Sequence, residues 1–193
     1  MKNKEMSLKT KQALAASLKQ AMLKKPLSKI TVRELIEDCN INRKTFYYHF
    51  EDIYALMKWT LEQETVEVVK QFDLMVNARE AILFVLDYVE SNKHILNCAY
   101  DSMGREGLKR FFYQDFISIM QSLVNECERH LGLSVDEDFK LLVAGFYSEA
   151  VAGTLINVLQ NKDSYDREVL ARDMALIFKS SIPNILKSKS EQA

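Results

Sequence analysis

Two prolines and five glycines in 193 residues leave the chain few places to turn tightly. All-β and doubly wound α/β folds are built on Gly- and Pro-rich turns, so this scarcity points away from both and toward long helices. The three cysteines, Cys39, Cys98 and Cys127, are an odd number, lie far apart and have no CxxC partner. That excludes a disulfide framework, and they read as reduced, buried thiols packed as small hydrophobes. A redox sensor would need a local basic motif, which is missing. His49, His94 and His130 have no metal-ligand spacing. No Gly-rich phosphate loop, GxSxG or HExxH motif occurs, so no catalytic residue, metal or cofactor is assigned and the chain is not read as an enzyme. The N-terminal MKNKEMSLKTKQ has no apolar signal core, and no stretch approaches 18 uncharged apolar residues. Neither a secretory signal nor a membrane span is expected, and the expected compartment is the bacterial cytoplasm.

What is present begins with 48% hydrophobic and 10% aromatic residues, enough for a packed core. The net charge of −1 conceals an asymmetry: residues 1–50 hold 11 Lys/Arg against 4 Asp/Glu, and residues 51–193 hold 15 against 23. A basic first quarter joined to an acidic remainder suggests that one part meets a polyanion and the rest does something else.

Helical periodicity runs through the chain. Leu14, Leu18, Ala21 and Met22 mark a first helix from Ser7, as cap, to the Lys25-Pro26 stop, about residues 8–24. Thr31 and Glu34 form a capping box, with Ile30 and Leu35 as the staple across it. Asn42 caps a second short helix, with Ile41 and Phe46 in the staple positions. Two short capped helices separated by about three residues describe a helix-turn-helix. Asp52 caps a long helix reaching Phe72, and further helices are placed at 78–91, 93–101, 106–131, 137–160 and 167–182, with a frayed KSKSEQA tail. Segment 137–160 is apolar on more than one face, and Gly145 and Gly153 within it suggest close helix approach. It reads either as a central core helix or as a subunit interface shared with the last helix, whose stripe is Leu170, Met174, Ile177 and Phe178.

The helix from Asn42 to Phe50 carries the chemistry. At about 100° per residue, Phe46 and Phe50 fall together toward the core, while Lys44, Thr45 and Tyr48 fall opposite. Tyr47 and His49 flank the two edges, and Arg43 lies at the N-terminus. A solvated helix face ordinarily carries Glu, Lys and Gln, whereas this one carries two tyrosines and a histidine. The face suits a duplex: Arg or Lys pairs with guanine, Thr or an aromatic ring touches a thymine methyl, and Tyr hydroxyls reach phosphates. An aromatic packing cluster is the plainer alternative. Arg33, at the start of the preceding helix, points toward a phosphate, and the acidic Glu34, Glu37 and Asp38 are expected to point away.

The stretch Ile30-Thr-Val-Arg-Glu-Leu-Ile-Glu-Asp-Cys-Asn-Ile-Asn-Arg-Lys-Thr-Phe-Tyr-Tyr-His-Phe-Glu-Asp resembles the DNA-binding domain of the TetR/AcrR transcriptional regulators, over about residues 8–60. The shared pattern is T-x-x-x-[LI] followed by G-[VI]-x-x-x-T-[FL]-Y-x-[HY]-F. The resemblance implies an all-α fold of about nine helices. Residues 1–52 would form a three-helix helix-turn-helix domain, helix four (53–72) would link, and residues 73–193 would bind an effector and dimerise. It also implies that Thr31 and Arg33 contact phosphates, that Asn42, Arg43, Lys44, Thr45 and Tyr48 lie on or near bases, and that Tyr47 and His49 grip the backbone. The partners implied are a near-palindromic DNA operator, a second copy through about residues 137–182, and an unidentified small molecule, with no membrane. Two positions depart from the pattern: Asn40 stands at the usual turn glycine, and Ile53 replaces a phosphate-binding lysine, a role left to Lys2, Lys4 or Lys9. The Gly153 to Leu159 segment, G-T-L-I-x-x-L, is similar to the branch that contains the dihydroxyacetone-kinase operon regulator. The reading is a repressor released by a small molecule. The alternatives are an activator that works with a partner protein, or a helical interaction module that binds no DNA.

Overall fold

The computed structural model describes residues 2–161 and 166–192, with side chains from residue 5 onward. Among the described residues every regular element is helical, in keeping with the sparse Gly and Pro content. The order is α1 (Lys2–Met22), a 3-10 turn (Leu27–Lys29), α2 (Val32–Asp38), α3 (Arg43–His49), α4 (Ile53–Leu61), a π turn (Glu62–Val66), α5 (Glu67–Val69), α6 (Leu74–Ser91), α7 (Lys93–Leu131), α8 (Glu137–Gln160) and α9 (Arg167–Ser190). Two compact units result. One is built from the residues up to Glu64 together with Asn92–Gly104, the other from Thr65–Ser91 together with the residues from Arg105 onward.

In the first unit α1 packs against α2 and α4, and α2 packs against α3. The expected stripe of Leu14, Leu18 and Met22 is buried, and Leu27, Leu35, Phe46, Leu56 and Met57 join it. Helix α1 is longer at its start than the Ser7 cap predicts and ends earlier, at Met22. No breaker precedes Ser7, and Glu5 lies in the first turn, where a carboxylate favours the helix dipole. Asp52 caps α4 as expected, its Oδ1 accepting from the Ala55 N–H at 2.7 Å. The single helix predicted to reach Phe72 is instead interrupted by the π turn and ends at Val69. Buried pairs Leu56/Met57 and Thr60/Leu61 are followed by Thr65/Val66, one residue later than an uninterrupted α-helix puts them. The π turn accommodates that extra residue.

The second unit places α6 against α9 and α8. Asn77 is non-helical, as its predicted break requires, although α6 already begins at Leu74. The two helices expected at 93–101 and 106–131 are both present, and they part at Gly104, whose φ of 72° and ψ of 175° are not helical and form a conformation only glycine adopts freely. Gly132 (φ 63°) closes α7: its N–H and that of Leu133 return to the carbonyls of Arg129 and Glu128. Asp136 caps α8 through the Phe139 N–H, and Asp166 caps α9 through the Glu168 and Val169 N–H groups. The break predicted between Asn161 and Asp166 lies largely outside the described residues.

Helix α9 does not stop at residue 182 before Pro183. It continues to Ser190, so Lys187–Ser190 of the tail expected to fray are helical. Ile182 and Leu186 are buried on either side of the proline, and the Asn184 amide donates to the Ser180 carbonyl at 2.7 Å. The burial of Ile182 and Leu186 outweighs the hydrogen bond that the proline cannot donate to the Lys179 carbonyl.

Helix α8 is apolar on two faces. Val143, Ala144, Tyr147, Val151, Leu155 and Ile156 are buried, whereas Leu142 and Phe146 are 66% and 69% exposed. On α9 the sequence reading needs correction. Phe178 is in the core and Met174 lines an internal cavity, while Leu176 (63% exposed) joins Ile177 (55%) on the outer face. A Cβ at Gly145 would sit 3.4 Å from the Tyr113 hydroxyl, but Gly153 faces open space, so no close approach within the chain explains it. By length and composition α8 could cross a membrane, but 44% of its apolar window is buried inside the unit. Of the aromatics Phe84, Tyr88, Tyr100, Phe112, Phe116, Phe146 and Tyr147, Phe116 alone lines the apolar cavity between α6, α7, α8 and α9.

Candidate nucleic-acid interface

Every local feature of the α2–turn–α3 segment follows from its caps. The Thr31 hydroxyl accepts from the Glu34 N–H, and the Glu34 carboxylate accepts from the Thr31 N–H at 3.0 Å, completing the box. At the turn Asn40 has φ 50°, the left-handed conformation that asparagine tolerates in place of the usual glycine. The Asn42 side-chain oxygen accepts from the Thr45 N–H at 2.8 Å and from the Thr45 hydroxyl at 3.1 Å. Phe46 is fully buried and Phe50 nearly so, and these two fix the roll of α3 about its axis. The opposite side is thereby presented to solvent: Arg43, Lys44, Tyr47 and Tyr48 are exposed, Tyr48 to 81%. The plain packing-cluster alternative fails on this point, since of the YYHF aromatics only Phe50 is buried, His49 is half-buried and both tyrosines are exposed.

The nine residues singled out from the sequence divide by what already holds them. Lys44 and Tyr48 project outward with no acidic partner among the described residues; the Tyr48 ring meets His49 edge-on. Arg43 lies over the Tyr47 ring, 5.6 Å from its centroid, and its Nη2 donates to the Tyr47 hydroxyl at 3.4 Å. Asn42 has its oxygen committed to the cap, which leaves its NH2 group outward, and Thr45 is half-buried beside it. Thr31 is likewise a cap whose hydroxyl proton remains available. His49 is half-buried; burial, helped by the Lys11 charge, holds its pKa below the ordinary value.

Arg33 is the exception. Its Nε donates to Glu37 Oε1 at 2.8 Å on the exposed side of α2, which raises the guanidinium pKa. Glu37 therefore does not point away from the basic face but shields one of its cations. Glu34 is paired with Lys25, which lowers the carboxyl's pKa. Among the proposed substitutes for the missing helix-four lysine, Lys9 lies 3.9 Å from Glu5, and the side chains of Lys2 and Lys4 lie outside the described residues. Lys11 went unremarked in the sequence as a site residue. Its ammonium lies 5.6 Å from the Phe50 ring and 5.5 Å from the Trp59 ring, fastening α1 beside the end of α3. No periodicity signals such a contact, because it joins residues far apart in sequence.

Among the described residues no cluster of His, Cys, Asp or Glu could hold a metal. Electrostatically the face is a set of cations, hydroxyls and rings on a rigidly capped helix of a size that enters a major groove.

Residues 77–180, just over half of the chain, match a family model described as a transcriptional regulator C-terminal region of the TetR type. Over 91 residues the chain is 24% identical to the HTH-type dhaKLM operon transcriptional activator DhaS of Lactococcus lactis subsp. lactis (strain IL1403), covering 47% of this chain and 49% of that protein. The match thus spans about half the length of that curated relative. In three dimensions the chain is similar to a dihydroxyacetone kinase operon activator DhaS (TM-score 0.61, 17% identity, 95% of this chain and 97% of that one). It is also similar to native NalD, described as the secondary repressor of the MexAB-OprM multidrug efflux pump in Pseudomonas aeruginosa (TM-score 0.55, 20% identity, 89% of this chain and 95% of that one). At these identities the structural likenesses speak for the fold.

Proposed function

The chain belongs to the TetR-type transcriptional regulators, and from that membership we propose that it reads a near-palindromic operator as a ligand-responsive homodimer. The observation that carries the reading is the α3 face: Lys44 and Tyr48 outward and Arg43 stacked on Tyr47, over a buried Phe46. Two such helices about 34 Å apart enter successive major grooves. Thr31, Arg33, Tyr47 and His49 hold the phosphates, and Asn42, Arg43, Lys44, Thr45 and Tyr48 face the bases. Residues 1–52 are the reader, residues 73–193 the sensing and pairing part, and the site of action is the bacterial cytoplasm.

Pairing through α8 and α9 is supported by Leu142, Phe146, Leu176 and Ile177, all more than half exposed. Gly153, with open space beside it, allows a partner helix close approach. The effector binds between the helices of the second unit and favours one spacing of the readers. A difference of ~1–3 kcal/mol between the two spacings suffices for useful coupling. The sign of regulation is repression, released by the effector. Activation is the second reading, favoured by one observation: the curated relative is named an activator.

The test is duplex selection from random sequence, followed by titration of the selected site against salt. Several phosphate contacts predict that log affinity falls with log salt by roughly 0.9 per contact. A flat salt response, or no sequence enriched over background, overturns the DNA-reader reading. A reporter driven by the selected operator then separates repression from activation.

A further inference from the structure

The apolar cavity of the second unit has a volume of about 40 Å³ and a lining without a polar atom, from Val69 and Leu74 to Met174 and Phe178. A groove of about 160 Å³ lies next to it, lined by Met75, Cys127, Ile182 and Pro183 and opening beside Lys179. Leu74, Leu123 and Phe178 line both spaces, so a single layer of side chains separates them. Lys179 has no carboxylate partner among the described residues; its ammonium donates to the Val76 carbonyl at 2.6 Å. From this juxtaposition of a dry slot, a thin apolar wall and one cation at the mouth, we propose that the second unit binds a medium-chain alkyl carboxylate, its chain in the slot and its carboxylate on Lys179. The proposal rests on the reading that this unit senses an effector, and names the effector's class.

The chemistry selects against the obvious alternatives. A sugar or polyol in the slot would leave its hydroxyls without partners, at a cost no lining residue offsets. An apolar void of this kind stays dry, so an alkyl chain entering it displaces no bound water and gains contacts on all sides. Two narrow spaces divided by one layer of side chains become a single linear channel when Leu74, Leu123 or Phe178 turns aside, which suits a linear chain better than a fused ring. Met120 and Met174 line the slot, and unbranched thioether side chains readily re-place themselves to lengthen it. At the mouth the carboxylate replaces the neutral Val76 carbonyl as acceptor for the Lys179 ammonium, so that both partners of the bond carry charge.

The experiment uses the full-length protein without DNA, titrated by calorimetry with sodium decanoate, 1-decanol and glycerol. Decanoate is expected to bind one per chain, decanol more weakly, and glycerol not at all. Lys179→Met, a surface change that leaves the fold intact, is expected to weaken decanoate by ~10-fold while leaving decanol unchanged. Ala81→Leu, which fills the slot, is expected to abolish both. Failure of decanoate and decanol to bind overturns the proposal. So does an unchanged decanoate affinity in Lys179→Met, or a folded Ala81→Leu protein that still binds both. The operator titration is run separately. A protein that binds decanoate but no operator overturns the DNA-reader reading and leaves the ligand site standing; operator affinity indifferent to bound decanoate overturns the effector assignment.

Discussion

The Cys98 thiol, on the first turns of α7, accepts a hydrogen bond from the backbone N–H of Leu27 at 3.1 Å. The contact joins residues 71 positions apart and sits where the chain leaves α1 to begin the helix-turn-helix. Cys98 also donates to the Lys25 carbonyl at 3.5 Å, and His94 Nε2 lies 3.2 Å from the Met22 carbonyl. Cys98→Ala leaves a buried N–H without an acceptor and is expected to destabilise the protein by about 1–2 kcal/mol in urea denaturation. Cys98→Ser is expected to recover most of that. Burial pushes the Cys98 thiol pKa up, so alkylation at pH 7 should be slow in the native state and fast once urea unfolds the chain.

Glu37 neutralises a cation of the basic face. Glu37→Gln is expected to tighten binding to all duplexes, and to steepen the salt dependence by roughly 0.9 if Arg33 takes up one further phosphate. Fluorescence anisotropy over a salt series measures both. Stability should change little, because the pair is solvated.

Lys44→Ala and Tyr47→Phe separate reading from gripping. The first is expected to remove ~1–3 kcal/mol of discrimination at one base pair, seen by competition among single-base operator variants. The second keeps the ring under Arg43 and loses the hydroxyl, so binding should weaken alike for every variant. An unchanged preference in Lys44→Ala would mean that α3 is docked with another face toward the bases.

Glu128 in α7 accepts from Lys140 Nζ at 2.7 Å and from the Val135 N–H at 2.8 Å, which together hold its carboxyl below the usual range. A depressed carboxylate stabilises the fold at neutral pH and loses that contribution as pH falls through its folded-state pKa. Lys140, held by Glu128 and Glu137, is shifted up, so its share is lost only above the ordinary lysine range. Glu128→Gln is expected to cost about 2 kcal/mol at pH 7. The gap to the parent protein should narrow below pH ~4, which denaturation at a series of pH values follows.

Phe146→Glu places a charge on the outer face of α8 without touching the core. Sedimentation equilibrium is expected to show a monomer. Operator affinity should fall steeply, since the two half-sites are then bound independently.

The N-terminal unit was legible because its signals are local. A capping box and an Asn cap each act within about five residues, and both are seen in α2 and α3, where Ile30, Leu35 and Phe46 are buried. The non-helical residues Asn77 and Gly104 were legible for the same reason. What escaped depends on distant partners. Glu37 was expected to face away from the basic surface; its i, i+4 spacing from Arg33 permits the pair, but burial of Leu35 against distant residues decides that both stay on the exposed side of α2. The last helix was placed only to residue 182 because the cost of Pro183 is local while the burial of Ile182 and Leu186 is not. On α9, periodicity correctly grouped Met174 with Phe178, but it cannot tell which of two apolar faces meets the core, and Leu176 was missed. The roles of the α3 side chains were inferred from residue type, which physical chemistry constrains, whereas the operator sequence leaves no mark on the protein's composition.

The π turn at Glu62–Val66 has a consequence for how this chain lines up with its kin. An uninterrupted helix cannot lose a residue without turning everything after it by about 100°. Here the surplus residue is already absorbed in one wide turn. A relative with one residue fewer can close that turn to ordinary α geometry and still present Thr65, Val66 and Val69 inward. A single-residue gap against such a relative is therefore to be placed in this stretch.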